Sequence, residues 1–105
     1  MEKGDFPYVL FFGHLTIEKI LKALFAGISD EQPPFTHRLT YLAEKTGLNL
    51  SEKQLEILEI ISDFNLEARY PDEQFHFYRK CTRDFTQDRL NDIKEMREWL
   101  LEQIS

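Results

Sequence analysis

The sequence predicts an all-α chain, an up-and-down bundle of four to five helices. Apolar residues recur at helical spacing in several separated stretches. No stretch alternates apolar and polar residues over the length of a strand, and no internal repeat is present. The gaps between the stretches carry helix punctuation: Pro33-Pro34, Gly47 and a capping box at Ser51. At 105 residues the chain supports one core, and 1–105 reads as a single domain.

The first helix is expected over 7–28, with Ile17, Leu21, Leu24 and Ile28 on one stripe. Val9 to Phe12 are apolar all round, so that end should be deeply buried or covered by another subunit. Gly13 in a helix interior costs about 1 kcal/mol relative to Ala, which points to a close packing contact there. Ser29 to Phe35 is a loop, because two consecutive prolines cannot continue a helix.

Thr36 then caps a shorter helix over 37–46 with Leu39, Leu42 and Ala43 inward, and Gly47 suits a left-handed C-terminal cap. A long helix is expected over 51–70. Ser51 and Gln54 form its capping box, with Leu50 and Leu55 at the staple positions. Leu55, Ile57, Leu58, Ile61 and Phe64 face inward, and Pro71 stops the helix at Tyr70.

Residues 72–85 mix aromatic and basic side chains without a clean period and read as a loop with a short helical turn. Thr86 starts a last helix to Ile104, with a stripe of Leu90, Ile93, Leu100 and Ile104 beside Met96 and Trp99.

Thirteen Lys and Arg against nineteen Asp and Glu give a net charge of −6. Such a chain has no overall field that attracts nucleic acid, so any such contact needs a local basic patch. The single cysteine, Cys81, excludes an internal disulfide and suits a reducing compartment. No apolar run approaches the ~18 residues of a membrane span, and the N-terminus lacks the apolar core of a secretion signal. A cytoplasmic protein without membrane contact is expected.

Arg69, Tyr70, Pro71 and Asp72 are the most function-like group. A guanidinium for phosphate beside a ring for a base makes an anion or nucleotide site. The alternative is a helix stop in which Arg69 pairs with Asp72 or a carbonyl. His76 lies seven positions after Arg69, and Tyr78 two further on. An Arg and a His converging on a phosphodiester perform metal-independent RNA cleavage, the His moving protons and the Arg stabilising charge on phosphorus. The alternative is an exposed loop histidine.

His14, Glu18 and Lys22 share one helix face, either a polar stripe into a groove or a solvated face. His14 and Glu18 supply half of a metal site, but neither His37 nor Cys81 has the spacing to complete it, so no metal and no cofactor is assigned. His37 belongs to the cap at Thr36. Arg79, Lys80 and Arg83, with Tyr78 and Phe85, form the one local basic-aromatic cluster, a composition that suits RNA or phosphate. No glycine-rich phosphate loop, nucleophile elbow or paired metal carboxylates are present.

Three stretches together resemble the HEPN family, small helical domains named for higher eukaryotes and prokaryotes nucleotide-binding. They are Glu18-Lys19-Ile20-Leu21-Lys22-Ala23-Leu24, Pro34-Phe35-Thr36-His37-Arg38-Leu39 and Glu67-Ala68-Arg69-Tyr70-Pro71-Asp72. The resemblance covers residues 7–104 and extends to the C-terminal helix with Trp99. It implies a helical bundle that is usually a homodimer and associates with a minimal nucleotidyltransferase, often in paired toxin–antitoxin genes.

In that reading Arg69 contacts phosphate, Tyr70 stacks, and Lys22, Glu18 and Tyr78 belong to the binding site. The family helix that normally precedes the Glu18–Leu24 stretch is shortened or absent. The family's ribonucleases carry Arg, four to six residues, then His, often with Tyr two beyond. Arg69, His76 and Tyr78 fit the loosest form of that pattern. A metal-independent endoribonuclease toxin using Arg69 and His76 is therefore the alternative to a nucleotide-binding interaction module.

Overall fold

The computed structural model describes residues 6–32, 38–65 and 70–104. Within them the chain forms α1 (Phe6–Ile28), α2 (Leu39–Lys45), α3 (Glu52–Ser62), α4 (Pro71–Lys80) and α5 (Arg83–Ile104), and none of the described residues lies in a strand. The all-α bundle read from the sequence is the one observed. Pro33 to His37 fall outside the described residues, and with them the expected cap at Thr36 and the role of His37.

The two long helices, α1 and α5, make the most extensive packing in the bundle. A Cβ added at Gly13 would stand 2.5 Å from Ile93 Cδ1 and 3.3 Å from its Cγ2. Only a residue without a side chain permits that close approach, as the mid-helix glycine suggests. The buried stripe of α1 is Phe6, Leu10, Ile17, Leu21 and Phe25, with His14 and Glu18 also inside. Ile28, expected inward, is exposed: the buried row keeps mostly four-residue steps, so Phe25 takes the inner position and Ile28 turns out. Leu10 is sealed, but Phe12 is 62% exposed, so the apolar start of α1 is only partly covered within one chain.

Leu39, Leu42 and Ala43 of α2 are buried as expected. Arg38 at the N-cap provides no side-chain cap. The Leu39 N–H instead donates to Ser62 Oγ at 3.1 Å, while that hydroxyl donates to Leu58 O at 2.9 Å. Ser62 thereby ties the end of α3 to the start of α2. Gly47, at φ 75, is the expected left-handed residue after α2.

At α3 the capping box is complete. Gln54 N donates to Ser51 Oγ at 3.1 Å, and Ser51 N donates to Gln54 Oε1 at 2.9 Å. The helix ends at Ser62, not at Tyr70. Asp63 and Phe64 turn, and Asn65 is no longer helical, while residues 66–69 fall outside the described residues. The turn drives Phe64 into the core, where its ring lies 5.6 Å from Phe77 and 6.3 Å, edge-on, from Phe85. Leu55, expected inward, is exposed, and with Leu50 it borders a surface cleft.

Residues 71–80 form a full helix where a loop was expected. Pro71 starts this helix: it occupies the first turn, where a missing N–H costs nothing, with Tyr70 as N-cap. Asp72 and Glu73 lie in the first turn, Arg79 and Lys80 in the last, as the helix dipole favours. Only Phe77 of α4 is buried, which explains the absence of a readable apolar stripe.

α5 starts three residues earlier than expected. Thr82 is its cap, accepting from Phe85 N at 3.2 Å, and Thr86 is completely buried. Ile93, Met96 and Leu100 hold the inner face of α5. Residues from all five helices join one apolar core.

Candidate functional site

α4 places its chemistry on two sides. His76, Phe77 and Lys80 border a cleft of about 330 Å³ against the end of α3 and the start of α5. Tyr78, only two positions from His76, lies about 200° around the helix and borders a different cleft with Phe75, Pro71 and Tyr8. His76 and Tyr78 therefore do not share a site within one chain.

In the first cleft, basic groups gather on one ring. Lys80 Nζ lies 5.4 Å and Arg89 Cζ 5.7 Å from the centroid of Phe85. Phe85 is held in place by Phe64, and Arg89 follows Phe85 by one turn on α5. Arg89 Nε stands 3.2 Å from Asp92 Oδ2, an ion pair whose angle does not make a hydrogen bond. Asp63 borders the same cleft. His76 is exposed at the edge, its ring 6.3 Å from Phe75. A ligand here meets cations, a proton-transfer group and an aromatic wall, the elements that suit a phosphate-bearing ring compound.

Of the basic cluster seen in the sequence, Lys80 and Phe85 come together. Arg79 instead lies over Phe75, 6.0 Å from its centroid, on another side of α4. Sequence reasoning missed Arg89. Its signal is present, four positions after Phe85, but it emerges only once α5 begins at Arg83.

Tyr70, at 76% exposure, is the N-cap of α4 and makes no side-chain cap hydrogen bond. Arg69 lies outside the described residues. Glu18 is 6% exposed and His14 fully buried, so neither belongs to a solvated face. Lys22 Nζ reaches Glu18 Oε2 at 3.4 Å from a half-buried position, and Lys22 is the member of that pair a ligand can reach. Neither borders the two α4 clefts. Among the described residues no three His, Cys, Asp or Glu side chains converge as metal ligands, and no helix is long and apolar enough to cross a membrane.

The fold and the cleft define a small all-α bundle domain with its accessible chemistry on its fourth helix. The family model for the HEPN domain matches residues 1–104, and the chain belongs to that family. No curated protein and no solved structure gives a significant match.

Proposed function

We propose that the chain is a nucleotide-binding and interaction module of the Arg-Tyr-Pro-Asp variety. It forms a homodimer and works with a minimal nucleotidyltransferase in a toxin–antitoxin pair. The observation that carries the binding reading is the convergence of Lys80 and Arg89 on Phe85, in a cleft that His76 also borders and in a chain whose net charge of −6 favours no such gathering. Arg69 and Tyr70 supply a phosphate and a stacking contact, Lys22, held by Glu18, a further polar contact, and Tyr78 a contact on the far side of α4.

Each charge-assisted contact contributes about 1.5–3 kcal/mol, so the double variant Lys80→Ala, Arg89→Ala, which loses two, should weaken ATP binding at least about 100-fold in calorimetry. Arg69→Ala should weaken it with unchanged helical content. Equal affinity in both variants rejects the nucleotide reading. Co-purification with the product of an adjacent nucleotidyltransferase gene tests the partner.

A second reading is favoured by the exposed position of His76 among cations: a metal-independent ribonuclease in which His76 moves protons and Arg69 stabilises the transition state. RNA cleavage in EDTA that His76→Ala abolishes supports it. Cleavage indifferent to His76 removes it.

A further inference from the structure

The side of α4 turned away from Phe77 is exposed and is covered by none of the described residues. At about 100° per residue, Asp72, Phe75 and Arg79 fall on that outer side, and Phe77 points to the core. Phe75 is 60% exposed. Tyr78 of α4 and Tyr8 of α1 are also open, and both line the shallow cleft beside Phe75. Phe12, one turn along α1 from Tyr8, carries the aromatic surface further. Contiguous exposed aromatics of this kind mark a contact surface.

The charges on this face have an order. Asp72 has no ion-pair partner among the described residues, and Arg79 has only the Phe75 ring. They lie seven positions apart, about two turns or 10 Å, with Phe75 between them. A face that runs acid, aromatic, base is complementary to its own reverse. A two-fold axis beside Phe75 sets Asp72 of one copy against Arg79 of the other, twice, and brings the two Phe75 rings together. That is the isologous contact of a symmetric dimer.

We propose that the outer face of α4, centred on Phe75, is the contact surface for a second copy of this chain in antiparallel pairing. The proposal rests on the homodimer reading above and adds the surface to it. Each copy carries a net charge of −6, which opposes self-association, so local reciprocal pairs are what a dimer of this chain requires. The ten-residue α4 alone is too short for the ~800 Å² per partner of a stable interface, and Tyr8, Phe12 and Tyr78 extend it.

Sedimentation equilibrium on the full chain tests this with two charge reversals. Asp72→Arg places like charges opposite each other in its own dimer, and so does Arg79→Asp. Each alone should raise the dimer Kd at least ~10-fold. Mixed in equal amounts, the two variants should associate with each other. The new base at position 72 of one copy then faces the new acid at position 79 of the other, and the second pair is the native one.

A merely structural effect on α4 would not be healed by mixing. If either reversal melts the helix by circular dichroism, Asp72→Asn and Arg79→Gln replace them, and each should weaken the dimer. A wild-type chain that stays monomeric at every concentration overturns the homodimer reading itself. A wild-type dimer indifferent to the reversals, or reversals that mixing does not heal, overturns this surface alone.

Discussion

Gly13→Ala is the sharpest probe of the frame that carries the site. Two effects oppose each other. Alanine in a helix interior is favoured over glycine by about 1 kcal/mol. Its methyl group, however, would stand 2.5 Å from Ile93 Cδ1. That contact is the severe one; Ile93 Cγ2 at 3.3 Å is merely tight, and Cγ1 at 3.5 Å is an ordinary contact.

Ile93 is buried, so α1 and α5 must separate or Ile93 must leave its rotamer, a strain of about 1–3 kcal/mol. The steric cost wins, and the net loss should be about 1 kcal/mol. Ile93→Val deletes Cδ1 and alone should cost about 0.5–1.5 kcal/mol. In the double variant the clash is relieved, so the losses should fall short of additivity by about 1 kcal/mol or more. Urea unfolding followed by far-UV circular dichroism, at one fixed protein concentration because the proposed dimerisation would couple to stability, measures all three. A Gly13→Ala chain more stable than wild type, or strictly additive losses, refutes the close approach of α1 to α5.

Ser51→Ala removes half of the capping box and should lower stability by about 1 kcal/mol in the same unfolding assay. Phe64→Ala empties the centre of the Phe64–Phe77–Phe85 cluster and should cost about 3–5 kcal/mol. The same change should weaken nucleotide binding in calorimetry, because Phe85 loses the ring that positions it. Lys22→Ala should cost only about 1 kcal/mol by thermal melting, since Lys22 is partly solvated.

Helices that bury a row of side chains are legible in the sequence. The inner face of α2, the row Ile93, Met96 and Leu100 on α5, and the capping box of α3 all follow from spacing and local hydrogen-bond chemistry. Punctuation misleads when it is read in one direction only. Pro71 disfavours helix in the residue before it and favours helix after it, and the first half of that rule alone puts a loop where α4 lies. Thr86 and Thr82 are both plausible caps, and the decision between them lies in the tertiary contacts of Phe85 and the burial of Thr86, which no local pattern encodes. The polar stripe of His14 and Glu18 suggests a solvated face because charge usually lies there. In the bundle it points inward, where Glu18 holds Lys22.

The site is half legible for a related reason. His76, Tyr78, Lys80 and Phe85 stand out in the sequence, but their grouping depends on α4 being a helix, which places His76 and Lys80 one turn apart on one side and Tyr78 on the other. The missing apolar period in 71–80 is itself informative. A helix that gives one residue, Phe77, to the core leaves nine exposed positions. Those positions hold aromatic rings, a histidine and ordered charges, side chains that a solvated surface helix has no physical reason to expose together. Turns and disordered loops also lack periodicity, but they do not combine a proline at the first helical position with acids in the first turn and bases in the last. That combination, with no stripe inside it, identifies a helix that gives one side chain to the core, and it is on the surface so left open that the proposed contacts rest.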